Sequence, residues 1–170
     1  MFDQNLPVPL ALALAAVDYR RHDFQPFVEF DSAEETTEWW RLWTDNEDAE
    51  VPPLRFFGKN GSGDHVAIWL RDPDVGVEAQ PVVLLGSEGE QSVIARNLGD
   101  YLCLLANGVG PLGGSEPVGE PVGEIIALIS GKPRPTGAIR ADAEMLQLDL
   151  EKFVDEVSWG PFDDDGEPAR

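Results

Sequence analysis

Apolar positions recur along this chain with distinct spacings, and each spacing predicts a different element. From Pro9 to Arg21, Leu, Ala and Val follow one another behind a proline suited to a first helical turn, which predicts a short helix. After an aromatic connector from Phe24 to Phe30, Ser32 and Glu35 form a capping-box pattern. The hydroxyl accepts from the amide three residues on, and the carboxylate reaches back. A second helix is therefore predicted from Ala33, with Trp39, Leu42 and Trp43 on its buried face, Trp40 at the margin, and the acidic run Asp45 to Glu50 ending it in water.

Leu54 to Leu70 reads as a β-hairpin: two runs of aromatic and branched residues flank Lys59-Asn60-Gly61-Ser62-Gly63-Asp64, whose glycines supply positive φ. Val66, Ile68 and Leu70 alternate with Ala67 and Trp69, so the second strand is apolar on both faces and predicted to be central. Pro81 to Leu85 predicts a further strand ended by Gly86. From Ser92 as cap, Ile94, Leu98, Tyr101, Leu102 and Leu105 follow a helical spacing that stops at Asn107-Gly108, and this helix is expected to lie across the sheet. Residues 108–124 hold six Gly and three Pro, a loop composition. Ile125 to Ile129 is too short for periodicity to decide between strand and helix. Leu146, Leu150, Phe153, Val154 and Val157 make a last helical stripe.

With 170 residues and 42% apolar side chains, including five Trp and eight Phe, the chain is sized for one well-filled core. We read residues 1–157 as a single domain and 158–170 as an acidic tail. The longest apolar run, Leu10 to Val17, is eight residues where a membrane span needs about twenty, and no basic stretch precedes it as in a secretory signal. A cytoplasmic protein is expected. Cys103 is the single cysteine and lies among leucines, so it is read as a small core side chain.

Charge changes the picture most. Against 12 Lys and Arg stand 32 Asp and Glu, a formal net charge of −20. That disfavours nucleic acid or an anionic membrane as a partner and favours a basic protein, although genome composition or salt adaptation would also produce it. The acids concentrate in the flanks: residues 1–50 carry 12 against 3 bases and residues 141–170 carry 10 against 2, whereas residues 51–140 carry 10 against 7. The middle is therefore the expected core and the flanks its charged shell.

Catalytic motifs are scarce. Gly108-Val109-Gly110-Pro111-Leu112-Gly113 spells a dinucleotide-binding pattern but follows a predicted helix instead of a strand. His22, His65 and Cys103 do not form a zinc-ligand spacing, and neither Asp45 to Asp48 nor Asp163 to Asp165 has an EF-hand layout. No metal, cofactor or catalytic residue is expected. A small hydrolase remains a rival, built on Glu88 with Glu90 or on Ser87, His65 and an aspartate assembled in space. Such an enzyme would need a concave pocket holding a carboxyl of raised pKa beside a second acid.

Three stretches also carry a resemblance. Phe57-Gly58-Lys59-Asn60-Gly61-Ser62-Gly63-Asp64 with Val66-Ala67-Ile68-Trp69, then Pro81 to Glu90, then Val93 to Leu102, resemble the SUKH superfamily. The pattern is a glycine-containing turn between two strands, a third strand reaching an acidic loop, and an apolar-Ala-x-x-Leu-x-x-aromatic-Leu segment. The likeness is best over residues 54–106, and Leu6 to Trp43 is similar to a bacterial branch. It implies an α+β domain with a mainly antiparallel sheet flanked by helices. It also implies an immunity protein that binds and neutralises a bacterial toxin domain, such as a basic nuclease, without catalysis. A housekeeping regulatory module, as in the family's fungal member, is the alternative. The contacts expected of an immunity protein are Asp64, Glu88 and Glu90 on loops at strand ends, Asp72 and Asp74, Asp45, Glu47 and Asp48 at the helix end, and Trp40 as a partly exposed anchor.

Overall fold

A computed structural model describes residues 3–17, 23–114, 121–129 and 132–160. The chain forms an α+β fold whose five strands run strictly in chain order and antiparallel: β1 (Gln25–Pro26), β2 (Leu54–Lys59), β3 (His65–Trp69), β4 (Val82–Leu85) and β5 (Gln91–Ala95). β3 is the middle strand and all five of its residues are buried, as apolarity on both faces requires. At Gly58 a side chain would collide with the Phe24 ring, so the bare backbone there lets the connector close over β2.

Among the described residues, six α-helices clothe the sheet. α1 (Val8–Ala16), α3 (Leu98–Ala106) and the single turn α4 (Gly123–Ile126) build one core with Phe57, Val66, Ile68 and Val82. On the opposite face, α2 (Ala33–Thr44) and α6 (Gln147–Trp159) close over Leu54, Phe56, Ala67, Trp69, Val83 and Leu85. α5 (Thr136–Glu144) runs along the β5 edge and sends Ile139 into the first core and Ala143 into the second. An ion network pins it: Arg134 reaches Asp100 and Asp142 at 2.6 Å each, while Arg96 bonds Asp100 at 3.1 Å. Arg134 holds the Asp142 carboxyl below the usual carboxylate range.

Several expectations need correction. The helix placed from Ser92 is two elements. Residues Gln91–Ala95 pair with β4, and α3 begins at Leu98 behind Asn97, whose Oδ1 accepts from the Asp100 amide at 2.8 Å. Val93 and Ile94 are β-branched and have a partner strand, which outweighs a helical spacing that continued into them by coincidence. The face of α2 is also rotated. Thr36, Thr37, Trp40 and Thr44 are buried, Trp39 and Trp43 are half-buried, and Leu42 is 83% exposed. Trp40 stacks on Phe153 of α6 with centroids 5.5 Å apart, and that contact sets the helix rotation.

α1 ends at Ala16, and residues 18–21 of its expected extension lie outside the described residues. The connector contributes the two-residue edge strand β1, Ile125 settles as helix, and α5 appears where no element was predicted. Residues 158 and 159 finish α6 instead of opening the tail. Residues 161–170, 115–120 of the loop, and His22 fall outside the described residues.

Candidate functional site

The turns that join β2 to β3 and β4 to β5 lie at the same end of the sheet, because an antiparallel meander returns alternate connections to one side. Asp64 locks them together. Its carboxylate accepts from Asn60 Nδ2 at 2.8 Å and from the Ser87 amide at 2.8 Å, while its own amide donates to Asn60 Oδ1 at 2.9 Å. The Ser87 amide is the main reason this carboxyl lies below its ordinary value. In the second turn Gly86 N donates to Glu90 O at 2.7 Å, and Gly89, at φ 95, closes the bend with a conformation that L side chains resist. Glu88 and Glu90 stand exposed on that turn, with Glu90 Oε2 accepting from the Glu88 amide at 3.2 Å.

The helix end joins the same platform. Trp43 Nε1 donates to Gly86 O at 2.7 Å, which ties the last turn of α2 to the β4–β5 turn. Asp45 caps α2 in the left-handed region at φ 52, and Asn46 Nδ2 donates to Val157 O at 2.8 Å near the end of α6. Asp45, Glu47 and Asp48 are exposed beside these anchors. Asp64, Glu88, Glu90, Asp45, Glu47 and Asp48 thus sit on segments linked to one another by hydrogen bonds.

The other expected contacts do not join them. Asp72 and Asp74 are exposed in the β3–β4 connection, at the far end of the five-residue β3, roughly 17 Å away at strand rise. There Asp72 Oδ1 accepts from the Asp74 amide at 2.9 Å, and Gln80 braces the loop through the Asp72 amide at 3.1 Å. Trp40 is 1% exposed and presents nothing to a partner. Its expected role as an anchor is overturned by the helix rotation described above.

Beside the platform is a cavity of about 380 Å³ lined by Asp23, Phe24, Gln25, Lys59, Asn60, Gly61, Gly63 and His65, which sequence reasoning did not single out as a group. Both Asp23 carboxylate oxygens accept from the Gly61 amide at 3.2 Å. His65 packs against Trp39 at 4.6 Å and Phe56 at 5.3 Å, and burial lowers its pKa. The only sequence signal was a histidine beginning an apolar strand.

The acid pair Glu88 and Glu90, offered for a hydrolase, occupies an exposed turn instead of a pocket. Among the described residues the carboxyl with a raised pKa is Asp31, pushed up to about 6 by burial and by the neighbouring Glu35. Glu35 is engaged in the capping box, its Oε2 accepting from Ser32 N and Oγ at 2.9 Å each, and is held below its ordinary value. No group of three or more metal-ligating side chains occurs among the described residues, and none of their helices is long and apolar enough to cross a membrane.

The architecture and site together define an α+β domain with an antiparallel meander and a braced acidic end. No protein-family model, curated protein or solved structure matches the chain.

Proposed function

We propose that this protein is a stoichiometric binding module of the immunity type, which engages a basic toxin domain through the acidic sheet end and catalyses nothing itself. The observation that carries this reading is the bracing of the acidic turns: Asp64 bonded to the Ser87 amide, and Trp43 bonded to Gly86 O. Charges held on a rigid frame lose little conformational entropy on association, and their field accelerates encounter with a positively charged partner. A nuclease has to be basic to hold its own substrate, so this surface is complementary to the site that needs blocking.

The test is co-expression with the toxin encoded beside the gene. Rescued growth and a one-to-one complex on a sizing column are expected; undiminished killing with separate elution rejects the proposal. Within the complex, the double reversal Glu88→Lys with Glu90→Lys slows association at low salt by roughly tenfold or more. The same reversal at Asp72 and Asp74 changes the rate less than about twofold, because those acids face the other end.

A further inference from the structure

His65 is 8% exposed, yet its hydrogen bonding is incomplete. Nδ1 lies 2.7 Å from Gly63 O, and since a carbonyl only accepts, that nitrogen carries the proton and Nε2 keeps a bare lone pair. Nε2 has no hydrogen-bond partner among the described residues. The side-chain polar atoms there that are both partnerless and sealed from solvent are Thr36 Oγ1 and Gln91 Oε1. The His65 lone pair is therefore open, and His65 is one of the residues that line the 380 Å³ cavity.

The Asp23 carboxylate shares one amide between its two oxygens, which leaves further lone pairs on both. Lys59 is the single cation among the described residues of the lining, and its charge also acts on Asp31. A carboxylate and a neutral imidazole acceptor suit a planar group that is all donors and carries positive charge.

We propose that this cavity is a pocket for an arginine guanidinium of the partner, which donates to Asp23 and to His65 Nε2. The inference rests on the proposed protein-binding role and adds to it a specific side chain. Burial contributes by disfavouring the imidazolium, which would remove the acceptor and repel the guest. The charged groups around His65 are Lys59 from β2, Asp64 from the turn and Asp23 across the cavity; α2 presents the Trp39 ring and β4 pairs Leu85 with it.

Methylguanidinium chloride titrated into the full chain at pH 7.5 tests this, read by imidazole ¹H–¹⁵N correlation spectra, with a His22→Gln variant assigning His65. The expected result is a saturable shift of His65 Nε2, with a dissociation constant on the order of 10 mM for so small a ligand. Asp23→Asn weakens it about fivefold or more while the Nδ1 signal stays in place, and Lys59→Met tightens it by removing a repelling charge. An equal shift with urea or potassium chloride, an unchanged curve in Asp23→Asn, or weakening in Lys59→Met overturns the pocket. The readout needs no protein partner. Absence of a toxin complex leaves a guanidinium-binding pocket intact, and a complex formed without guanidinium binding refutes the pocket alone.

Discussion

The two faces of the sheet are built from different residue classes. Toward α1, α3 and α4 the packing is mainly aliphatic, with Leu98, Leu102, Leu104 and Leu105 of α3 all buried around Phe24, Phe30, Phe57 and Tyr101. Toward α2 and α6 it is aromatic: Trp40, Trp69 and Phe153 stack in series at 5.5 and 5.6 Å, and Trp39 and Trp43 continue the array to His65 and Gly86. Aliphatic side chains contribute area alone, whereas tryptophan contributes area and one directional donor. That donor is why the aromatic face is the one wired to the acidic turns. One side supplies stability, and the other couples stability to the position of the binding surface.

Removing the centre of each face separates these roles. Trp40→Ala deletes a fully buried indole and lowers unfolding free energy by about 3–5 kcal/mol in a denaturant titration. Trp40→Phe, which remains folded, leaves partner affinity within about twofold if the indole is core and no anchor. On the aliphatic side, Leu104→Ala lowers stability by about 2–5 kcal/mol without moving the His65 imidazole signals. A shift of those signals in Leu104→Ala would show that the faces are not independent. Trp43→Phe keeps most of the ring area but leaves Gly86 O with the Gly89 amide as its remaining donor, and is expected to lower stability by about 0.5–1.5 kcal/mol and to slow partner association.

Protonation sharpens the contrast, since two groups near Lys59 respond in opposite senses. Burial pushes the Asp31 carboxyl up to about 6 from its ordinary 3.8, so the native state binds the proton more tightly and the ionised form opposes folding increasingly as pH rises through about 6. Asp31→Asn therefore raises the unfolding free energy at pH 7.5 by about 1 kcal/mol once solvent screening of this half-buried group is allowed for, and has no effect near pH 3. His65 has a lowered pKa, so its contribution is intact above 6.5 and is lost as pH falls from there through the folded value. The smallest effect is expected at Leu42, whose change to Ser alters stability by less than about 0.5 kcal/mol because its side chain is already in water.

The loop positions of Asp64, Glu88 and Glu90 at strand ends were legible from the turn glycines, whereas the sharing of one end by their two turns was not, because β5 reads as part of a helix in the sequence. Asp72 and Asp74 carry the same charge on the same kind of loop, and only the parity of connections in a meander sends them to the other end. The cavity at His65 was not legible, because Asp23 and Gly61 are 38 positions apart and meet only when β1 pairs with β2.

Features encoded within a few residues survived from chain to fold. The capping box at Ser32, the glycine-rich turn after Lys59 and the two-sided apolarity of β3 depend on neighbours in sequence, and each formed as read. Whether Val93 and Ile94 become strand or helix, and whether Trp40 or Leu42 turns inward, depends on partners supplied by β4 and α6. Local codes specify an element and its faces. Which face is buried is decided by the free energy of packing against surfaces that exist only once the remote segments have assembled.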